Sequence, residues 1–400
     1  MIYRAFIGKE DKKRLQERYG YASHPRPKGK VFWFHGASIG ECLSFLPVLN
    51  LFEKKYPSHS FLITSGTQAS AELLQKKLSK RCIHQYLPLD HPLWVYRFLS
   101  YWQPNACFWT ESDFWPNMIT KASRFGPLFL LNGRFSSNTA ARWSMCPSFI
   151  RRILKCFSVI FPQSFSDFKN FKRFYPSNLK MVGNLKYEGQ TLDVPLGKVH
   201  ALEKQIGKRP LWIVSNTHPG EEEIVLGIHK RIKDKLPKSL LLILIPRHPK
   251  RAGQVAELIH SLGFSFIKRS DNTKIEPHTD VLIVDSLGEL GTFYSLSSFV
   301  IMGGSFVSGI GGHNVLEPAR LGVLPIFGPH MKKNQDLADF LLKNKSGIQV
   351  RSVTQLEKVV TSCLKDTKKI KQQSQKAEEI LKNVNILPVI VTEIQKYLND

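Results

Sequence analysis

Residues 30–52 read "KVFWFHGASIGECLSFLPVLNLF": an apolar run, a turn holding two glycines and a serine, and then an apolar segment at helical spacing. An apolar run with no polar alternation is the mark of a strand buried on both faces, as in a parallel sheet covered by helices. The turn also carries a lone carboxylate, Glu41, where a small capping residue would suffice to start a helix. The same strand–turn–helix unit recurs along the chain. "SFLITSG" (60–66) is followed by a helical pattern at 68–79, "ACFWTES" (106–112) by one at 115–124, and "PLFLLNG" (127–133) by a basic helical region. The second half repeats the rhythm: "LWIVSN" (211–216) with 221–236, "LLLILIP" (240–246) with 251–262, "VLIVD" (281–285) with 287–297, and "FVIMGG" (299–304) with 314–322. Short strands alternating with helices predict an α/β protein with doubly wound parallel sheets.

Four hundred residues, 42% of them hydrophobic, favour two domains over one very large one. The joint is expected around 186–208, where "YEGQTLDVPLGKVHALEKQIGKRP" has turn formers and no buried strand. Six cysteines at 42, 82, 107, 146, 156 and 363 form no CxxC pair, which points to a reducing compartment and away from a structural metal. No apolar run is long enough to span a bilayer.

Fifty-seven Lys and Arg against thirty-two Asp and Glu leave a formal charge of +25, a statement about partners more than about fold. The excess gathers at 1–30, with nine basic and three acidic residues, and at 142–186, with nine and one. An anionic partner is one reading and an ordinary solvated lysine-rich surface the other. The stretch "FSVIFPQSFSDFKNFKRFY" (157–175) interleaves aromatics with cations as single-strand binders do, but no nucleic-acid recognition motif accompanies it.

In doubly wound sheets, ligands sit outside the carboxyl ends of the strands, so the strand-to-helix turns carry the functional information. Glycines 303, 304, 309, 311 and 312 lead into His313 and Asn314, followed by an apolar helical pattern. This is either a phosphate cradle built on helix-start N–H groups or a turn with a capping Asn. "DSLGELG" (285–291) offers a second helix start, and "PRHPKR" (246–251) supplies Arg247, whose planar fork suits phosphate or carboxylate. No GxxxxGK[ST] occurs, nor a GxGxxG after the first strand. His218, His248 and His313 lack an HxxxH partner and read as hydrogen-bonding loop residues. For Glu41 the residues alone leave two readings open, a complement to the helix dipole and a base facing a cleft.

These turns, together with "YLPLDHPLWVYRFLSYWQP", "TESDFWPNMI", "LLNGRFSS", "VGNLKYE", "SNTHPGEE", "GGSFVSGIGGHNVLEPA" and "IFGPHM", resemble in order those of the 3-deoxy-D-manno-octulosonic acid (Kdo) transferases of Gram-negative lipopolysaccharide synthesis. The resemblance implies a GT-B fold, two Rossmann-like domains facing across a cleft. Residues 1–190 would bind acceptor, 191–375 the nucleotide sugar, and 376–400 would form a helix crossing back to the first domain. It implies inverting transfer of Kdo from CMP-Kdo to a lipid A precursor, lipid IVA, with Glu41 of a Ser-x-Gly-Glu motif as general base. The donor contacts implied are Pro246, Arg247 and His248, Gly288, Glu289 and Leu290, and Asn314, Val315, Leu316 and Glu317. Arg247 and the 314 turn would take the phosphate and Glu317 the ribose. No cofactor or metal is expected, and no nucleic acid. The expected location is the cytoplasmic face of the inner membrane, with the basic clusters on its anionic surface and the family's N-terminal anchor missing from this sequence. Competing readings are another GT-B enzyme using a UDP-sugar, whether transferase or epimerase, and a basic nucleic-acid binder.

Overall fold

The computed structural model describes residues 10–174, 177–189, 191–235 and 239–398. The start of the first basic cluster (1–9), residues 175–176 of the second, residue 190 at the expected joint, residue 236 at the end of an expected helix, and residues 399–400 lie outside them. The chain divides into two compact units, Met1–Gln190 with Val384–Asp400, and Thr191–Asn383.

In the first unit, β1 (Val31–Gly36), β2 (Ser60–Ser65), β3 (Cys82–Tyr86), β4 (Ala106–Thr110), β5 (Leu128–Gly133) and β6 (Val159–Pro162) form a sheet in the order β3-β2-β1-β4-β5-β6. Every pairing is parallel. Side chains of a strand alternate between faces, so the run VFWF feeds two cores at once. Val31 and Trp33 pack with Trp109, Leu128 and Leu130 on one side, while Phe32 and Phe34 pack with Phe61, Phe108 and Phe129 on the other. Phe34 and Phe108 stack at 4.2 Å. Each such fully buried side chain contributes about 1.5–3 kcal/mol. The helix Ile386–Gln395 belongs to this unit and lays Ile386, Ile390 and Ile394 on the Phe32/Phe34 face. Its first N–H groups, of Ile386 and Leu387, are accepted by Glu188.

The second unit is built from β7 (Leu211–Thr217), β8 (Leu241–Pro246), β9 (Phe266–Lys268), β10 (Val281–Ile283), β11 (Phe299–Met302), β12 (Leu324–Phe327) and β13 (Ile348–Gln349). Its order is β13-β12-β11-β7-β8-β10-β9, again parallel throughout.

The structure departs from the sequence reading in several places. Segment 196–206 of the expected joint is a helix that buries Val199, Leu202 and Ile206. Most of the cation–aromatic stretch is core, and only Phe165 and Phe168, stacked with Lys169 over the Phe165 ring, keep aromatic surface among the described residues. Val159–Pro162 is a buried strand, and Phe157, Phe161, Phe171 and Phe174 are core, because their spacing matches a strand and then a helix face. The helices expected at 287–297 and 314–322 shrink to Leu290–Tyr294 and Leu316–Ala319. In the latter, Gly322 takes φ +65° and turns the chain away.

Candidate active site

The strand order reverses between β1 and β4 in the first unit and between β7 and β11 in the second. At such a switch point the loops leaving the strand ends part and open a crevice.

In the first unit, Ser38 caps the helix Ile39–Lys55, and Glu41 occupies its third position. The Glu41 carboxylate folds back on the turn: Ala37 N–H donates to Oε2 at 2.8 Å and the Ser38 hydroxyl to Oε1 at 2.9 Å. A capping role is therefore part of what Glu41 does. Hydrogen bonds of this kind hold a carboxyl's pKa down, yet burial, the negative charge of Glu111 and, less strongly, that of Asp113 outweigh them and raise it from 4.5 to about 7. A group poised there exchanges protons readily at neutral pH, which a purely structural cap has no need to do.

The two acids that face Glu41 leave the end of β4. Glu111 adopts φ +61°, a left-handed conformation costing about 1–2 kcal/mol outside glycine, and its carboxylate pairs with Lys186 at 3.1 Å. Asp113 accepts from Trp115 Nε1 at 2.8 Å and lies 3.6 Å from His35 Nε2. Burial alone would lift the Asp113 pKa, but His35 and Trp115 win and leave it below the usual carboxylate range. On its other side, His35 Nδ1 lies 2.9 Å from Thr64 Oγ1, which also accepts the Trp33 indole N–H. Gly40 has ordinary helical geometry and no tight turn depends on it. A side chain there would meet only Ser38 Oγ, at 4.0 Å, so it leaves open space beside Glu41.

In the second unit, the glycine-rich loop is held by a protein carboxylate. Glu221, buried at the start of the helix Glu221–Lys233, accepts N–H groups from Gly304 at 2.7 Å, Ser305 at 3.1 Å, Phe306 at 3.0 Å and His218 at 3.0 Å. The first part of the expected phosphate cradle is therefore occupied. Beside it, Glu222 takes the Thr217 hydroxyl and the Arg251 guanidinium. His218 Nε2 and His313 Nε2 stand 2.8 Å apart with nearly parallel rings, so one donates and the other accepts. Burial lowers the pKa of both, that of His313 to about 3, which keeps the pair neutral. Gly304, at φ +67°, makes room for it, since a side chain there would meet the His313 ring at 2.8 Å.

The expected donor contacts all lie at this end of the second sheet. Pro246 ends β8, Arg247 and His248 are exposed beyond it, and the Arg247 guanidinium has no hydrogen-bond or ion-pair partner among the described residues. His248 stands edge-on to His218, ring centres 6.2 Å apart. Gly288 is exposed at φ +81°. The Glu289 side chain is taken up by Arg269, Lys198 and Ser286, with Arg269 chiefly drawing its pKa down to about 2, so backbone at 288–290 is what remains to offer. Asn314 Oδ1 accepts the Leu316 N–H, and Val315 and Leu316 are buried, leaving only their main chain. Glu317 is half-buried. Burial pushes its pKa up, against the pull of Arg320 and Arg247. One-turn helices carry little macrodipole, so the anion-binding potential at 288 and 314 rests on Arg247 and local N–H groups.

A family model described as "3-Deoxy-D-manno-octulosonic-acid transferase (kdotransferase)" matches residues 13–189. A 3-deoxy-D-manno-octulosonic acid transferase of Rickettsia bellii is 35% identical over 356 residues, 89% of this chain and 84% of the relative. The chain belongs to the Kdo transferase family. Another Kdo transferase, from Haemophilus influenzae, is 33% identical over 97% of this chain and 92% of its own. Among solved structures, UDP-GlcNAc 2-epimerase from Neisseria meningitidis bound to UDP-GlcNAc superposes with TM-score 0.60 over 92% of this chain and 100% of that one, at 13% identity, a likeness of fold alone. The protein is thus a glycosyltransferase of GT-B architecture.

Among the described residues of this Kdo transferase, no helix is long and apolar enough to cross a membrane, and no group of three or more His, Cys, Asp or Glu is placed to hold a metal. Reading the sequence missed the Glu221 clamp and the roles of Glu111 and Asp113. Three consecutive acids after a helix-starting glycine, "PGEEE", are the signal for the first. For the second, "TESD" was visible, but nothing local says that its acids face Glu41.

Proposed function

We propose that this Kdo transferase moves Kdo from CMP-Kdo to a lipid A precursor, lipid IVA, in lipopolysaccharide biosynthesis, with inversion at the anomeric carbon and Glu41 as the base. The observation that carries the reading is Glu41 itself, a carboxylate at the β1/β4 switch point whose proton affinity is matched to neutral pH by burial and two neighbouring acids. A base of that strength takes the acceptor hydroxyl's proton as the oxygen attacks, a contribution typically of about 10²–10⁴ in rate. Lys186 holds Glu111 in place and His35 faces Asp113, and of the three acids Glu41 is the one whose pKa is raised to about 7.

On the donor side, the cytidine monophosphate leaves with developing negative charge. The unpaired Arg247 fork and the free N–H groups beyond the clamped part of the glycine loop suit that charge. Neutral His218 and His313 add hydrogen-bonding capacity without a second cation. Glu317 is suited to ribose hydroxyls and His248 to the phosphate edge.

An anionic membrane surface fits the 142–186 region. The helix Pro147–Leu154 buries Ile150, Ile153 and Leu154 and exposes Phe149, Arg151 and Arg152. Met145 is 85% exposed and Phe165 62% exposed nearby in sequence. Cations near a charged leaflet contribute about 1 kcal/mol each. Mass analysis of products from CMP-Kdo and a tetraacylated lipid A precursor tests the whole reading. One added Kdo mass or more, lost in Glu41→Gln, supports it, whereas turnover of a UDP-sugar in place of CMP-Kdo would overturn it.

A further inference from the structure

The first unit contains a continuous path of hydrogen bonds into the Glu41 turn that starts from the 3-10 helix Lys12–Tyr19. Arg18 is 6% exposed. Its Nη2 donates to the Gly66 carbonyl at 2.6 Å and to Glu10 Oε2 at 3.0 Å, and its Nη1 donates to the Leu87 carbonyl at 3.0 Å. Gly66, in the loop after β2, donates its N–H to the Ala37 carbonyl at 3.0 Å. Ala37 in turn donates to Glu41 Oε2. The Gly66–Ala37 approach leaves no slack, since a Cβ on Gly66 would stand 2.8 Å from the Ala37 oxygen.

We propose that Arg18 is a positioning residue for Glu41, fixing the Gly66 loop that fixes Ala37, which holds one carboxylate oxygen; the inference rests on Glu41 being the general base. A guanidinium fork suits the task because it reaches three acceptors from one rigid plane, which an ammonium cannot. Its effect travels through the backbone. The charges that bear on Glu41 are those of Glu111 and Asp113, themselves held by Lys186 and His35, and Arg18 is not among them. Around Arg18 stand Glu10, its ion-pair partner, and the Tyr86 ring, which Arg14 and Arg18 each approach to 4.7 Å; Arg14 also bonds Glu17 and His84. Losing the Ala37 hydrogen bond removes a contact that lowers the Glu41 pKa, so the acid side of the activity profile moves toward higher pH.

The test measures kcat, KM for CMP-Kdo and the pH dependence of kcat/KM in the full chain for Arg18→Met, Arg18→Lys, Gly66→Ala and Glu41→Gln. Arg18→Met is expected to lower kcat about 10- to 100-fold, the scale of a misplaced catalytic group, to leave KM for CMP-Kdo unchanged, and to shift the acid limb upward. Arg18→Lys, which keeps the charge beside Glu10, falls between it and wild type. Should Arg18→Met not fold, because the buried Arg18–Glu10 ion pair is broken, Gly66→Ala disturbs the same path without touching the ion pair and gives the same two changes. If Arg18→Met or Gly66→Ala loses thermal stability while kcat and the acid limb stay at wild-type values, and Glu41→Gln loses about 10²–10⁴ in kcat, the positioning role is wrong and the base reading stands. Turnover by Glu41→Gln at the wild-type rate sinks both.

Discussion

At the sheet reversal of the first unit, the loops bring together three acids, Glu41, Glu111 and Asp113, and leave one of them short of counter-charge. At the reversal of the second unit, the two buried acids that follow β7 are fully engaged. Glu221 accepts four backbone N–H groups and Glu222 binds Arg251, while the open face carries neutral imidazoles and an unpaired Arg247. The two turns have the same scaffold, a parallel strand feeding a helix, yet offer opposite chemistry. A carboxylate given like-charged neighbours and burial becomes a proton acceptor. One given amide donors becomes a structural clamp that shapes an anion-binding loop.

Replacing each acid breaks this comparison in a different way. Glu41→Gln, which keeps an oxygen for the cap, is expected to lower kcat by about 10²–10⁴ while CMP affinity by calorimetry stays at the wild-type value. Glu221→Ala should act on structure, since each buried group left unsatisfied costs about 1–3 kcal/mol. Thermal unfolding of the second unit shifts down and CMP binding weakens with it, whereas a variant as stable as wild type would show that the clamp is dispensable. Arg247→Ala removes charge-assisted hydrogen bonds worth about 1.5–3 kcal/mol, so CMP should bind about 10- to 100-fold more weakly, with no displacement of the acid limb of the pH profile.

The smallest expected effect is one of linkage. Glu41 has a folded pKa of about 7, above the ordinary carboxyl value of 4.5, so the folded state holds the proton more tightly than the unfolded one. Its ionisation therefore costs stability as pH rises from about 4.5 through 7. Glu41→Gln should gain thermal stability relative to wild type at pH 8 compared with pH 5. An equal difference at both pH values would place Glu41 in an ordinary, solvated setting.

Much of the fold was legible because nearly every central strand is a short apolar run with a glycine-containing or polar turn after it. The runs at 31–36, 60–65, 128–133, 241–246 and 299–302 are strands as read. What escaped lacked that contrast. The edge strand β3, with the sequence CIHQY, is partly exposed and carries polar residues. Val159–Pro162 lay hidden among cations, and the helix Leu196–Ile206 buries one narrow stripe within a segment rich in charge. At the site, Glu41 stood out because an acid is uncommon in so apolar a setting, and Arg247 because a cation followed a fully buried strand. Glu111, Asp113 and the His218–His313 contact are tertiary facts. Seventy residues separate Glu41 from Glu111 in the chain, and no local pattern reports that the ends of β1 and β4 are neighbours. Lengths of the helices after 288 and 314 were overread for a related reason: apolar spacing continues where the backbone turns away.

The pH dependence of kcat/KM for the wild-type enzyme, measured with saturating acceptor and varied CMP-Kdo, addresses the central claim most directly. An acid limb with its midpoint near pH 7, absent from the residual activity of Glu41→Gln, is the expected result. A rate that stays level from pH 5 to pH 8 would contradict it.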